Sequence, residues 1–215
     1  SPEFHRDYYY KYPSIVDDLR ALASSHGFDG EYIAEELNWL TPANRIPGQP
    51  NYTETTAAKY YARGIVMHLG MDIRVGLADT SHLSELHKMM VIRNLSTVMA
   101  GAEPEILQYE HEDPAIRSYA FSSPDGSKML ALWIDGIAAE GEPGSPATLT
   151  FPNFTADQVI GTDVLKGIEQ EIIASVEGND LVIRDLRIID YPIILRFLNP
   201  SSQLPAWSLQ ASVPL

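Results

Sequence analysis

The sequence predicts an α/β region followed by an all-β region. Three observations carry this. Up to about residue 101, helical patterns with apolar residues three and four apart alternate with short strand candidates. Beyond Gly101 the helical period disappears, and short strands separated by turn signals take over. The composition, 45% hydrophobic and 20% charged over 215 residues, is that of an ordinary globular protein with length for one large or two small domains.

The first four residues, Ser1-Pro2-Glu3-Phe4, have the look of a vector-derived scar and are set aside from fold reasoning. Pro13 or Ser14 opens the first helix, with Ile15, Val16, Leu19, Leu22 and Ala23 at helical spacing and Gly27 as its stop. Glu31 to Leu37 is the first strand, and Thr41 to Tyr52 a polar, proline-bearing loop. Thr53 is an N-cap for the second helix, which carries Ala57, Ala58, Tyr61, Ile65, Val66 and Leu69 on one face and stops at Gly70. Met71 to Leu77 is the second strand. A third helix runs from Ser81 to Met99, with Leu83, Leu86, Met90, Leu95 and Met99 inward. Such alternation implies parallel strands with crossover helices. Two strands cannot close a barrel and leave sheet edges open, so residues 5–101 read as part of a larger domain.

Residues 102–198 carry roughly eight strand candidates. They are Ile106–Glu110, Arg117–Phe121, Met129–Ile134, Ala147–Phe151, Gln158–Asp163, Gln170–Val176, Asp180–Arg184 and Ile193–Phe197. Asp125-Gly126 is a hairpin signal, and Glu177-Gly178-Asn179-Asp180 a second turn. The pattern predicts an antiparallel β-sandwich. Residues 199–215 hold three prolines and no periodicity, and read as an extended tail.

Several function classes fall away. The net charge of -14 argues against a nucleic-acid partner, because phosphate binding needs clustered Lys and Arg. The absence of cysteine excludes disulfides, zinc–thiolate sites and cysteine catalysis. No apolar run reaches the roughly 18 residues that cross a bilayer, so no membrane partner is expected. His82 and His87 are five apart, off the spacing that shares a helix face, and neither metal nor cofactor is expected. Compartment stays open.

Some segments resemble a known family. They are the strand end Ala34-Glu35-Glu36-Leu37-Asn38-Trp39, the helix Ala57-Ala58-Lys59-Tyr60-Tyr61-Ala62-Arg63, and Arg93-Asn94-Leu95-Ser96. Asp125-Gly126, Leu132-Trp133 and Asp190-Tyr191-Pro192 extend the likeness into the second region. Together, over residues 10–198, they are similar to the C-terminal portion of the (β/α)8-barrel retaining glycoside hydrolases with two catalytic glutamates and an accessory β-sandwich. The resemblance implies that residues 5–101 are the last strands and helices of such a barrel. It implies that Glu36, ending strand seven, is the nucleophile. Retention needs two carboxyl groups about 5 to 5.5 Å apart, one attacking the anomeric carbon and one protonating the leaving oxygen. The acid/base of these enzymes follows an Asn on strand four, which this chain does not include, so the chain alone is expected to be inactive.

Glu35 stands where relatives often have Thr, and remains the alternative nucleophile. Strand alternation is expected to put Glu35 and Glu36 on opposite faces. Asn38, Trp39 and Asp79 are candidate substrate contacts: an amide for a hydroxyl, an indole face for a pyranose, a carboxylate at a strand end. Each has a plainer role as well, as turn residue, loop cover and helix cap. Tyr8-Tyr9-Tyr10 and Tyr12 read as packing against absent parts of the barrel, or as a sugar platform. Expected partners are an oligo- or polysaccharide, and either the remaining barrel or another copy of the chain. The alternatives to a glycosidase fragment are a non-catalytic carbohydrate-binding or structural module and a half-barrel subunit that pairs with another chain.

Overall fold

The computed structural model describes residues 1–77 and 85–202. Helix α1 spans Arg6–Ser25 and starts about two turns before the Pro13 or Ser14 expected to open it. Its first turn is already closed by Tyr9 N–H donating to the His5 carbonyl at 2.9 Å. Pro13 therefore lies inside the helix, where it deletes only the donor that would have reached the Tyr9 carbonyl. The stop is as expected: Gly27 takes φ +80° and its N–H returns to the Ser24 carbonyl. The residues at helical spacing do not form a buried face. Val16 alone is buried, while Ile15, Leu19 and Leu22 are 42, 57 and 58% exposed.

Strand β1 (Tyr32–Leu37) pairs in parallel with β2 (Ile73–Leu77), linked through helix α2 (Glu54–Gly70). The Thr53 hydroxyl accepts from Thr56 N–H and caps α2. Every residue from Ala57 to Val66 is buried, so α2 is a central helix rather than a surface one. Helix α3 follows as Leu86–Val98; its expected start near Ser81, with Leu83, lies outside the described residues.

Beyond Gly101 the pairing is antiparallel. A six-stranded sheet has the order β3-β4-β5-β12-β8-β9. Its members are β3 (Glu103–Glu105), β4 (Ile116–Ser122), β5 (Lys128–Ile134), β8 (Gln158–Asp163), β9 (Ile168–Glu171) and β12 (Ile193–Leu198). A three-stranded sheet joins β6 (Gly144–Phe151), β11 (Asp180–Ile189) and β10 (Ser175–Glu177). The short β7 (Phe154–Thr155) and β13 (Ser201–Ser202) pair with each other.

Three strand expectations are corrected. Ile106–Glu110 is not a strand; Glu110 makes a single bridge to Thr150, and the paired segment lies earlier, at β3. Gln170–Val176 divides between β9 and β10, which belong to different sheets. Asp180–Arg184 continues to Ile189, passing an irregularity where Asp185 takes φ +53°.

Period-two alternation on β5 builds two cores. Met129, Ala131 and Trp133 join Ala58, Tyr61, Val66, Val91 and Leu95 from α2 and α3. Leu130 and Leu132 face the other way, against Leu149, Phe151, Ile183 and Ile188 of the three-stranded sheet. The order of layers is thus helices, six-stranded sheet, three-stranded sheet, and the first core draws residues from both sides of Gly101.

Lys59 and Arg63, one turn apart on α2, fasten that helix to the sheets. Lys59 Nζ is fully buried and donates to Asp190 Oδ1 at 2.7 Å and to the Ala139 carbonyl at 2.8 Å. Asp190 Oδ2 accepts from Ala139 N–H at 2.8 Å. Arg63 Nε donates to the Asp190 carbonyl at 2.8 Å, and its Nη1 to the Gly136 carbonyl. On α3, Asn94 Nδ2 donates to the Val164 carbonyl at 2.9 Å. A buried charge survives only when paired and hydrogen-bonded, and both conditions hold for Lys59.

Candidate functional site

The C-terminal end of β1 carries the paired acids. The β1–β2 register runs Ala34↔Val75 and then Leu37↔Leu77, so Glu35 and Glu36 together oppose the single residue Gly76. This is a β-bulge, a device that re-aims side chains at strand ends. The more buried positions along β1 are Tyr32, Ala34 and then Leu37, with Glu35 and Glu36 both exposed between them. Simple alternation across Glu35–Glu36 is therefore interrupted, and the two carboxylates share the exposed stretch. Gly76 is required for the bulge: a Cβ there would lie 2.2 Å from the Glu35 carbonyl oxygen.

Asn38 follows immediately and is exposed. Its Oδ1 accepts from the Tyr61 hydroxyl at 3.1 Å, which fixes the amide; among the described residues its N–H groups have no acceptor. Trp39 turns back onto α2. It stacks on Tyr60 with ring centroids 6.0 Å apart and meets Tyr61 edge-on at 5.3 Å. Its ring lies over Gly64, where an added Cβ would come within 2.6 Å. One indole face is thus occupied by the protein itself. Asp79 lies outside the described residues.

Beside this end sits a group that sequence reasoning passed over. Thr41, Glu85 and Lys88 are 2, 3 and 3% exposed. Glu85 accepts from the Thr41 hydroxyl and pairs with Lys88 one helical turn on. Lys88 Nζ lies 5.1 Å from the Tyr61 ring centroid, so cation, phenol and Asn38 amide form one connected series. The only sequence signal was a Glu and a Lys three apart at a helix start, a pattern normally solvated.

The tyrosines of α1 resolve through their partners. Asp135 pairs with Arg117 at 2.8 Å and accepts from the Tyr9 hydroxyl at 2.7 Å, so its charge is already partnered. Burial is the main force pushing the Tyr9 phenol up, partly opposed by Arg63 and reinforced by Asp135. Tyr9 and Tyr12 face α2 and the sheets, while Tyr8 is 57% exposed. Among the described residues, no group of three or more His, Cys, Asp or Glu side chains could hold a metal ion. No helix among them is long and apolar enough to cross a membrane.

No protein-family model and no curated protein sequence matches the chain. Solved structures of glycoside hydrolases do resemble it. An α-fucosidase of Thermotoga maritima matches with TM-score 0.45 at 11% identity, over 78% of this chain and 39% of that one. The catalytic domain of the GH30 xylanase C of Talaromyces cellulolyticus matches with TM-score 0.44 at 10% identity, over 80% and 41%. The GH51 arabinofuranosidase of Xanthomonas axonopodis pv. citri matches with TM-score 0.43 at 13% identity, over 78% and 41%. The chain spans about two fifths of the length of each. These are low-scoring likenesses of fold and assign this chain no activity.

Proposed function

We propose that the chain is the C-terminal portion of a retaining glycoside hydrolase: the last two strands and three helices of a (β/α)8 barrel, followed by an accessory β-sandwich. In this reading Glu36 is the nucleophile and Asn38 a hydroxyl contact. Trp39 serves first to pack the loop onto α2, and its second face is the part left for a sugar. The observation that carries the reading is the glutamate pair exposed at a bulge on the C-terminal end of a parallel strand, the end where barrel enzymes place their catalytic groups. Gly76 and the bulge hold the pair in place, and Tyr61 orients Asn38 beside it.

The mechanism needs a second carboxyl group about 5 to 5.5 Å from the nucleophile. Glu35 does not supply it, because it is the immediate neighbour on the same strand and the acid/base must protonate the leaving oxygen from another element. The chain alone therefore shows no turnover on a panel of chromogenic glycosides. In a protein that joins this segment to a completed barrel, Glu36→Gln abolishes turnover and leaves folding intact, since the amide keeps size and loses the nucleophilic charge. Azide restores part of the activity of Glu36→Gly and gives a product of inverted configuration. Because the bulge exposes both acids, Glu35→Gln is the informative companion: full loss there, with Glu36→Gln active, moves the nucleophile by one residue. Turnover by the chain alone that vanishes in Glu36→Gln would overturn the incomplete-barrel reading.

A further inference from the structure

The three-stranded sheet runs β10-β11-β6, so β6 is an edge strand. Its one further pairing among the described residues is a bridge to Glu110. Thr150 and Glu110 exchange both main-chain hydrogen bonds there, at 2.8 and 3.1 Å. Thr150 therefore directs its N–H and C=O away from β11. Main-chain direction alternates along a strand, so Thr148 and Pro146 face the same open side. Pro146 suits that phase, because the N–H it lacks is the one an edge leaves unpaired.

After Glu110 the chain leaves this edge and turns at Asp113. The Asp113 carbonyl accepts from Ile116 N–H at 3.1 Å, and its Oδ1 from Ala115 N–H at 2.9 Å. The departing segment and β6 border an open cleft of about 650 Å³. Its lining holds four carboxylates, Glu110, Glu112, Asp113 and Asp185, and no Lys or Arg. None of the four makes an ion pair among the described residues.

The chemistry of the cleft narrows its occupant. The carboxylates are too dispersed for an inorganic cation: among the described residues no three acidic or histidine side chains come together to hold a metal. A sugar would find one ring on the lining, His111, and that ring is already stacked on Tyr109 with centroids 5.3 Å apart. A second copy of the chain would bring the same carboxylates and a net charge of -14 to the edge, and be repelled. What remains is a chain that brings main-chain groups to the edge and cations to the cleft. Leu149 and Phe151 point into the sandwich core, so Thr148 and Thr150 carry the outer face beside the cleft. A strand laid along β6 puts every second side chain on that same face. We propose that the edge of β6 is a docking site for an extended basic peptide of a partner protein. The peptide adds a strand beside Pro146 and Thr148 and sets alternate Lys or Arg side chains among the four carboxylates. The site shares no residue with the glutamate pair of β1, and does not depend on the glycosidase reading.

The test is titration of the intact chain with a short peptide of alternating Lys and Val, acetylated and amidated, read by fluorescence anisotropy and by hydrogen exchange of the protein. A matched peptide of alternating Glu and Val is one comparison. Spermine, which brings cations without a main chain, is the other. Saturable binding of the Lys peptide is expected, with none of the Glu peptide and spermine weaker by roughly tenfold or more. The Thr148 amide should exchange more slowly in the complex. Affinity should fall as salt rises from about 0.01 to about 0.15 M, which shortens the screening length from roughly 30 to roughly 8 Å. Thr148→Pro removes an outward N–H from an edge that already accommodates Pro146, and should weaken binding roughly fivefold, the scale of one net hydrogen bond. Glu110→Gln combined with Glu112→Gln should weaken it severalfold and flatten the salt dependence. Three results overturn the proposal: no saturable binding of the Lys peptide; equal binding of the Lys and Glu peptides; or spermine binding as tightly as the Lys peptide with Thr148 exchange unchanged, which would leave an acidic surface and no docking edge.

Discussion

Strands β1 and β5 both lie against α2 and differ in what covers their second face. On β5, Met129, Ala131 and Trp133 meet the helices, while Leu130 and Leu132 meet the three-stranded sheet. Both faces are closed, and five consecutive residues are buried. On β1 the helix-facing positions are shielded, but Ile33 between them is 63% exposed, and the glutamate pair follows on the exposed stretch. Helix α1 repeats the contrast, with an apolar row at Ile15, Leu19 and Leu22 open to solvent. Parallel sheets are normally covered on both faces. The difference therefore separates a region whose burial is complete from one whose apolar surface has no cover among the described residues, as the incomplete-barrel proposal requires.

The largest effect that would sharpen this contrast lies at the junction. Asp190→Ala strands Lys59 as an unpaired buried cation, and should lower the unfolding free energy by about 3–5 kcal/mol in urea titration. A double variant, Lys59→Met with Asp190→Leu, should recover most of that loss. A recovery of nothing would mean that the backbone contacts of Asp190, not its charge, hold the junction.

The next effect compares the two strands directly. Leu132→Ala empties part of a closed core and should cost about 2–5 kcal/mol. Ile33→Ala on the bare face should stay within about 0.5 kcal/mol. Equal losses at the two positions would show that the β1 face is covered in solution, by self-association or otherwise, and sedimentation velocity would identify a dimer.

The smallest effect concerns pH. Burial depresses the folded-state pKa of His68 below the ordinary histidine value of about 6.5. The unfolded chain then binds a proton that the folded chain refuses, so the stability tied to His68 is intact above about pH 6.5 and declines as pH falls below it. The urea midpoint should drop between pH 7 and 5, and the gap between wild type and His68→Gln should narrow over the same window. A gap that widens on acidification would place the folded pKa above, not below, its ordinary value.

Much of this was legible in the sequence where local rules and tertiary demands agree. Thr53 caps α2, Gly27 ends α1, and Asp125-Gly126 turns between β4 and β5, each through backbone chemistry confined to a few residues. The change of texture at Gly101 coincides with the change to antiparallel pairing. What failed depended on distant partners. The helical spacing of Ile15, Leu19 and Leu22 was visible and their exposure was not, because periodicity tells which residues share a face and not whether anything lies against it. Gln170–Val176 was read as one strand because β-propensity is continuous there, while the sheets claim its two halves separately. The bulge at Glu35–Glu36 was invisible, since it arises from register against Gly76, forty residues away in sequence. Lys59 and Arg63 were noticed as a pattern, but their burial against Asp190 and the 136–141 carbonyls could not be read from α2 alone.

That junction has a consequence for any attempt to recombine the molecule. Lys59 and Arg63 grip carbonyl groups of Gly136, Ala139 and Asp190, so the loop's backbone path, rather than its side chains, is what α2 recognises. Helix and loop are therefore inherited as one fitted pair. A chimera that exchanges residues 136–141 for a loop of another length, or that imports a helix lacking the Lys–Arg turn, would misplace α2 about its own axis. Trp39, which rests on that helix over Gly64, would be carried with it. The sheet region thus acts as the jig in which the helix beneath the glutamate strand is set.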